Sequence, residues 1–287
     1  SAIAKVDKLK VELAKANALL KDKANTSDLA TAKDALKELA KVENATDGKT
    51  TSTAAAYTAA KQAADAAVAK AEGLMANPNV TPEEVAEALT EVKARKDELE
   101  KAKVALVDKA TEEQKTKLEA DAGKLTKAST EGKTQDSITA YNEKYAQLAT
   151  ELEAAKNKAT AIKEAGDNAS EHEALKAQAA VDGVLAKLEA AKAVLVDKAT
   201  DDQVSELRKA DVSLTPASAS TFETAKTPAS IAAYKKAVEA IQTDLTEAKA
   251  TAADLVRKAE QNNATQADAT SAIAKVDKLK VELAKAN

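Results

Sequence analysis

Residues Ser1–Asn17, SAIAKVDKLKVELAKAN, recur letter for letter as Ser271–Asn287. A chain that returns to its own opening reads as a window on a tandem array, so its fold must be a unit that can be copied in series. Three landmarks set the frame of that unit. Lys-Asp-Lys-Ala or Val-Asp-Lys-Ala stands around Asp22, Asp108 and Asp197. A tyrosine follows a polar loop at Tyr57, Tyr141 and Tyr234, and the loops before them read DGKT (Asp47–Thr50), EGKT (Glu131–Thr134) and TAKTP (Thr224–Pro228).

What the unit can be is limited by its side chains. Among 287 residues there are four Tyr, one Phe and no Trp, with six Gly and four Pro. Large aromatics supply much of the area buried in a thick core. Without them, and with abundant Ala, Leu, Lys and Glu, the chain is expected to be all-α, built of thin bundles at short interhelical distance.

Each unit reads as three helices. The first runs from about Thr51 to Met75 and ends at Asn77-Pro78-Asn79-Val80, since Pro cannot continue the hydrogen-bond ladder. The second starts at Thr81-Pro82-Glu83-Glu84, a capping box with Pro at the first helical position. Ser170-Glu171-His172-Glu173 and Thr265-Gln266-Ala267-Asp268 are its counterparts. The third starts at Thr111-Glu112-Glu113-Gln114 and Thr200-Asp201-Asp202-Gln203.

Apolar spacing supports this division. Tyr141, Tyr145, Leu148, Leu152, Ala155, Ala159 and Ile162 alternate steps of four and three, as do Tyr234, Val238, Ile241, Leu245, Ala248, Ala252 and Leu255. The second helix carries heptad triplets: Val6, Leu13, Leu20; Val92, Leu99, Leu106; Val181, Leu188, Leu195. The third is weaker (Leu29, Leu36, Leu39; Leu118, Leu125; Val204, Leu207, Leu214) and is expected to fray first.

No stripe can be buried by its helix alone, so three helices are expected to pack up-down-up. An odd number of antiparallel helices puts entry and exit at opposite poles, and copies then stack end to end into an elongated rod. The frame gives 1–50 as the C-terminal part of a repeat, 51–134 and 135–227 as complete repeats, and 228–287 as the N-terminal part of another. Residues 1–50 then lack a first helix and 228–287 a third. These ends are expected to fray, or to associate tail to head between otherwise monomeric rods.

Candidate sites are few. His172 is the only histidine, which removes multi-histidine metal sites and histidine-based triads; in a helix's first turn it reads as a solvated residue. Glu83-Glu84, Glu112-Glu113 and Asp201-Asp202 could suggest acid–base chemistry, but all stand at helix N-termini, where the dipole favours negative charge. Gly48-Lys49-Thr50 and Gly132-Lys133-Thr134 lack the first glycine and the strand of a phosphate loop. Asn25, Asn44, Asn79, Asn168 and Asn263 fit the N-x-S/T pattern, three of them in turns where local hydrogen bonding explains them. The tyrosines could form a ligand-stacking face, but recurring once at the same heptad position they are expected to plug bundle ends with hydroxyls in water. Phe222 caps a joint or is an exposed contact. No catalytic, cofactor or metal residue is assigned.

A net charge of −4 with interspersed signs disfavours nucleic acid as a partner. No apolar run approaches the roughly 18 to 20 residues of a membrane span. Zero cysteines fits the cytosol or a disulfide-free exported protein.

The stretch Tyr57–Leu106, with its N-P-N-x-T-x-E-E-V-x-x-A-L turn from Asn77 to Leu89, resembles a FIVAR module. The other two units keep the capped turn without Asn-Pro, so there the resemblance rests on register. FIVAR arrays look like the stalks of giant cell-wall-anchored surface proteins of Gram-positive bacteria, the Ebh-like matrix-binding proteins among them. The resemblance implies a helical rod, an extracellular location, no cofactor, and binding to host matrix such as fibronectin. The leading expectation is a spacer, and the alternative is a binding module whose helix faces contact a host matrix protein or a glycan. An intracellular coiled-coil scaffold is a third reading, and an enzyme the least favoured class.

Overall fold

The computed structural model describes residues 2–286. The helices are α1 (Ala2–Ala18), α2 (Ser27–Ala40), α3 (Thr51–Ala76), α4 (Pro82–Val104), α5 (Glu112–Gly123), α6 (Gln135–Gln147), α7 (Ala149–Ala165), α8 (Glu171–Lys192), α9 (Asp201–Arg208), α10 (Ala210–Ser213), α11 (Pro228–Glu260) and α12 (Gln266–Ala286). Among the described residues extended structure is confined to isolated bridges, so the expected all-α class holds.

The helix starts lie where the caps place them. Thr81 with Glu84, and Thr200 with Gln203, close full capping boxes. Thr111 with Gln114, and Ser170 with Glu173, exchange the same bonds. Thr265 accepts from the Asp268 N–H at 3.0 Å. The long seam through Tyr141 and Ile162 is interrupted at Leu148, whose N–H bonds the Tyr145 carbonyl and so tightens one turn between α6 and α7.

The chain divides into two compact units. The first comprises 1–120 and 158–179, the second 121–157 and 180–287. In the first unit α2, α3 and α4 all pack on one another. Their core joins Leu29 and Leu36 to Tyr57, Ala64, Val68 and Ala71, and to Val85, Val92 and Leu99. Burying each Leu or Val contributes about 1.5–3 kcal/mol, and the alanines of α3 let the helices approach closely. Val107 N–H reaches Thr53 Oγ1 at one end, and Lys70 pairs with Glu91 further along, so α3 and α4 are antiparallel. Lys61 Nζ donates to the Ala40 carbonyl and Lys33 lies 3.8 Å from Glu72, which makes α2 and α3 antiparallel too.

In the second unit α9, α11 and α12 pack on one another. Leu207, Ala210 and Leu214 meet Leu245, Ala248, Ala252 and Leu255, and α12 adds Ala269, Ala272, Val276 and Leu279. Buried Tyr141, Leu152, Val181 and Leu188 also lie in this unit.

This grouping cuts across the 51–134 division. The helix taken as the last of one repeat, α2, shares a core with the two helices that follow it, and α9 does the same with α11 and α12. Residues 27–50 and 228–286 therefore have partners, contrary to expectation. Among the described residues, α1 is the helix of the first unit with no buried residue, and its Val6, Leu9 and Leu13 face solvent. A periodic stripe states that a helix needs partners; it does not say whether they come before or after it in the chain.

Candidate structural joints

Polar loops between the helices are joined by the same pattern of backbone bonds in two places. In the first unit three segments meet: the DGKT loop, Val107–Ala110, and the turn Gly166–Ser170. Val107–Ala110 lies in the middle. Thr50 N–H donates to the Val107 carbonyl at 2.8 Å and Lys109 N–H to the Gly48 carbonyl at 2.9 Å. On its other side, Ala110 N–H donates to the Ala169 carbonyl at 2.8 Å and Glu171 N–H to the Asp108 carbonyl at 2.9 Å. Antiparallel bridges Lys49–Asp108 and Lys109–Ser170 result.

The second unit repeats this ladder with different residues. Thr134 N–H reaches Val196 O at 2.8 Å, Lys198 N–H Gly132 O at 2.9 Å, Ala199 N–H Ala264 O at 2.8 Å, and Gln266 N–H Asp197 O at 2.9 Å. The bridges are Lys133–Asp197 and Lys198–Thr265. In both places a loop flanking one group of helices is zipped to the segment that opens the next helix, and buried backbone donors find acceptors.

Side chains reinforce the ladders in parallel. Lys49 Nζ lies 2.7 Å from Asp108 and Lys133 Nζ 2.6 Å from Asp197. Asn168 Oδ1 accepts the Ser52 N–H at 2.8 Å, capping the start of α3, and Asn263 Oδ1 accepts the Asp136 N–H at 2.9 Å, capping α6. Two of the N-x-S/T asparagines are thus helix-end acceptors, and their patterns need no sugar to account for them. Thr50 and Thr134 are buried, as are Ala110, Ala169, Ala199 and Ala264. Gly48 and Gly132 turn with φ +66° and +69°, the left-handed region that an L side chain enters only at a cost of about 1–2 kcal/mol. The Gly-Lys-Thr triplets therefore have a structural job: glycine to turn, lysine to pair with the aspartate opposite, threonine to donate its N–H.

The third Lys-Asp-Lys-Ala copy differs. At the place of Glu171 and Gln266 stands Pro82, which has no N–H to offer the Asp22 carbonyl. That rung cannot form.

The tyrosines depart from expectation. Tyr57, Tyr141 and Tyr234 are buried, but their hydroxyls are not in water. Tyr141 accepts the Ala128 N–H at 2.7 Å, and Tyr234 donates to the Ala217 carbonyl at 2.8 Å. Each ties the preceding loop to its helix. The Tyr57 hydroxyl is buried without a partner. Phe222 packs edge-on against Tyr234, with ring centroids 5.2 Å apart, so it serves the loop before α11. The spacing located these rings, but the loop acceptors and donors, being backbone atoms, leave no mark in the side-chain pattern.

His172 is exposed in the first turn of α8. The acid pairs stand at helix starts, where Glu84 and Glu173 close capping boxes. Bonds from the Thr81 backbone and hydroxyl hold the Glu84 carboxyl below the usual glutamate range, and the Ser170 hydroxyl and backbone do the same for Glu173. Among the described residues no cluster of His, Cys, Asp and Glu could hold a metal ion, and no helix is long and apolar enough to cross a membrane.

Residues 32–100 match the FIVAR domain model, a span that runs from within α2 to within α4. The chain is 32% identical over 180 residues, 61% of its length, to extracellular matrix-binding protein EbhB of Staphylococcus aureus strain N315, covering 4% of that protein. It has the same identity over the same share to extracellular matrix-binding protein ebh of strain NCTC 8325 / PS 47, covering 2%. The chain thus spans a few hundredths of the length of these relatives. No solved structure matches it.

Proposed function

We propose, from the FIVAR domain at residues 32–100 and the twice-built ladder, that this chain is a stretch of structural stalk. Three-helix bundles, each up-down-up, follow one another end to end in a rod that carries a distal domain away from a bacterial cell wall. The repeat frame is helix three, helix one, helix two, as in α2–α3–α4 and α9–α11–α12, in place of the frame that starts at residue 51. The observation that carries the reading is the duplicated joint. A ladder of four backbone bonds is a means of fixing direction from one bundle to the next. It is not a means of binding a small molecule, and it is built twice with the same bonds from different residues.

The geometry follows from helix length. A helix of 26 residues such as α3 is about 39 Å long at 1.5 Å per residue, so each bundle advances the rod by roughly 40 to 50 Å. Small-angle scattering tests this: the expected profile is that of a long, narrow monomer, and a compact profile would overturn it.

A second reading is favoured by the relatives' names, which state that they bind extracellular matrix. On that reading the bundles themselves contact a host matrix protein such as fibronectin. A pull-down of immobilised, folded chain against fibronectin separates the two: retention supports binding, and a clean negative supports the spacer. Both readings place the protein outside the cell, at its surface, and neither requires a cofactor or a catalytic step.

A further inference from the structure

The third helix of the sequence frame ends differently at its three occurrences. Leu29 and Leu36, Leu118 and Leu125, and Leu207 and Leu214 are pairs with the same spacing, and all six are buried. Helix α5 stops at Gly123 and α10 at Ser213, short of the second leucine, while α2 runs past its own to Ala40. The tyrosine bonds follow this difference. Tyr141 bonds Ala128 and Tyr234 bonds Ala217, in each case the third residue after that second leucine. Their counterpart is Leu39, whose backbone lies inside α2, and the Tyr57 hydroxyl is buried without a partner. Tyr57 stands beside this helix end. Lys61, one turn further along α3, donates from Nζ to the Ala40 carbonyl at 2.5 Å, and Tyr57 and Ala40 share a core.

Chain length does not dictate the difference, since Leu36 precedes Tyr57 by 21 residues and Leu214 precedes Tyr234 by 20. Composition does. Leu36 is followed by Lys-Glu-Leu-Ala, all strong helix formers, and Leu214 by Thr-Pro-Ala-Ser, in which Pro216 forbids a further turn. We propose that the end of α2 exchanges with a second, less populated state, in which the turn after Leu36 unwinds and the Leu39 backbone meets the Tyr57 hydroxyl. Two demands compete for one segment. Helix hydrogen bonds, the burial of Ala40 and its bond to Lys61 hold the turn; the orphaned hydroxyl opposes them, because a buried polar group without a partner is costly. Leu29 and Leu36 keep their seats in both states, as Leu125 and Leu214 keep theirs beyond the ends of α5 and α10. Residues 37–40 change from about 1.5 to about 3.3 Å of rise each, so the corner lengthens by roughly 7 Å. It is an extensible link, built into the fold next to the Gly48–Thr50 turn.

Amide hydrogen exchange on the full chain tests this. Tyr57→Phe takes the bond from the unwound state and the orphan from the helical one. Exchange at Leu39, Ala40 and Lys41 should therefore slow by about tenfold. Tyr141→Phe, which only removes a bond, should speed exchange at Ala128. Unchanged or faster exchange at 39–41 in Tyr57→Phe would mean that the hydroxyl is met in another way, by a bound water for instance, and overturns the proposal. A second variant reads the unwound state directly. Glu38→Pro places proline two residues after the leucine, where Pro216 stands, and should hold this copy unwound with the bundle folded. In that background Tyr57→Phe should lower the urea midpoint, which it does not do in the unaltered chain. A bundle that cannot fold with Glu38→Pro, or one indifferent there to the loss of the hydroxyl, overturns the proposal.

Discussion

Three tyrosines hold equivalent places and their hydroxyls meet three different fates, which makes them a set of controls. Tyr141→Phe leaves the Ala128 N–H without its acceptor in a part-buried loop, and the expected loss is about 1–3 kcal/mol. Tyr57→Phe removes a buried hydroxyl that has no partner, so stability should be unchanged or slightly raised. Chemical denaturation of the two variants checks the pair, and equal losses would contradict the hydrogen-bond assignment. Gly132 offers a sharper test of the joint, because no atom lies within 4 Å of the place a Cβ would take. Gly132→Ala should therefore cost only the backbone strain of φ +69°, about 1–2 kcal/mol, with helix content retained.

At the scale of the helix, local chemistry was legible and grouping was not. The caps at Thr81, Thr111, Ser170, Thr200 and Thr265 are written within four residues each, so the sequence sufficed to place every one of those starts. The triplets Val92–Leu99 and Val181–Leu188 named buried positions because heptad spacing fixes which face is apolar. Nothing so local told α2 to pack forward on α3 and α4; that choice depends on loop geometry at Asn44 and Gly48, both at positive φ. The third helix of the frame, expected to fray first, instead buries Leu29, Leu36, Leu207 and Leu214.

The caps also predict a pH response. Glu84 and Glu173 have lowered pKa values because their bonds favour the charged form. Their contribution is complete above the ordinary glutamate pKa and is lost as pH falls through the lower folded value. On acidification below about pH 4, amide exchange should accelerate in the first turns of α4 and α8. The starts of α5 and α9, closed by neutral Gln114 and Gln203, should not respond through this group. Glu84→Gln should abolish the response at α4. Identical letters give a further contrast at this scale: Leu283→Ala should cost about 2–5 kcal/mol by opening a packed core, while Leu13→Ala, on an exposed face, should cost close to nothing in the monomer.

For the molecule as a whole, the proposed stalk stands or falls on its joints. The ladders were out of reach of sequence reading because backbone atoms build them, and only the recurring Gly-Lys-Thr and Asp-Lys-Ala signatures hinted that these loops had work in common. Ala199→Pro removes the N–H that bonds the Ala264 carbonyl. The helices on either side should keep their dichroism, while scattering should report a broader spread of end-to-end distances than the unaltered chain shows. An unchanged spread would mean that the ladder does not govern bending.

Pro82 carries this reasoning into mechanics. Where Glu171 and Gln266 each supply a donor, an imino acid supplies none, and no backbone bond joins Lys21–Ala24 to Val80–Pro82, so a seam at Asp22 is the more weakly laced. When the proposed stalk is stretched by shear flow, its seams should not open at random. The one beside Pro82 should yield first, acting as a fuse that lengthens the tether in a set order before the better-laced seams are loaded.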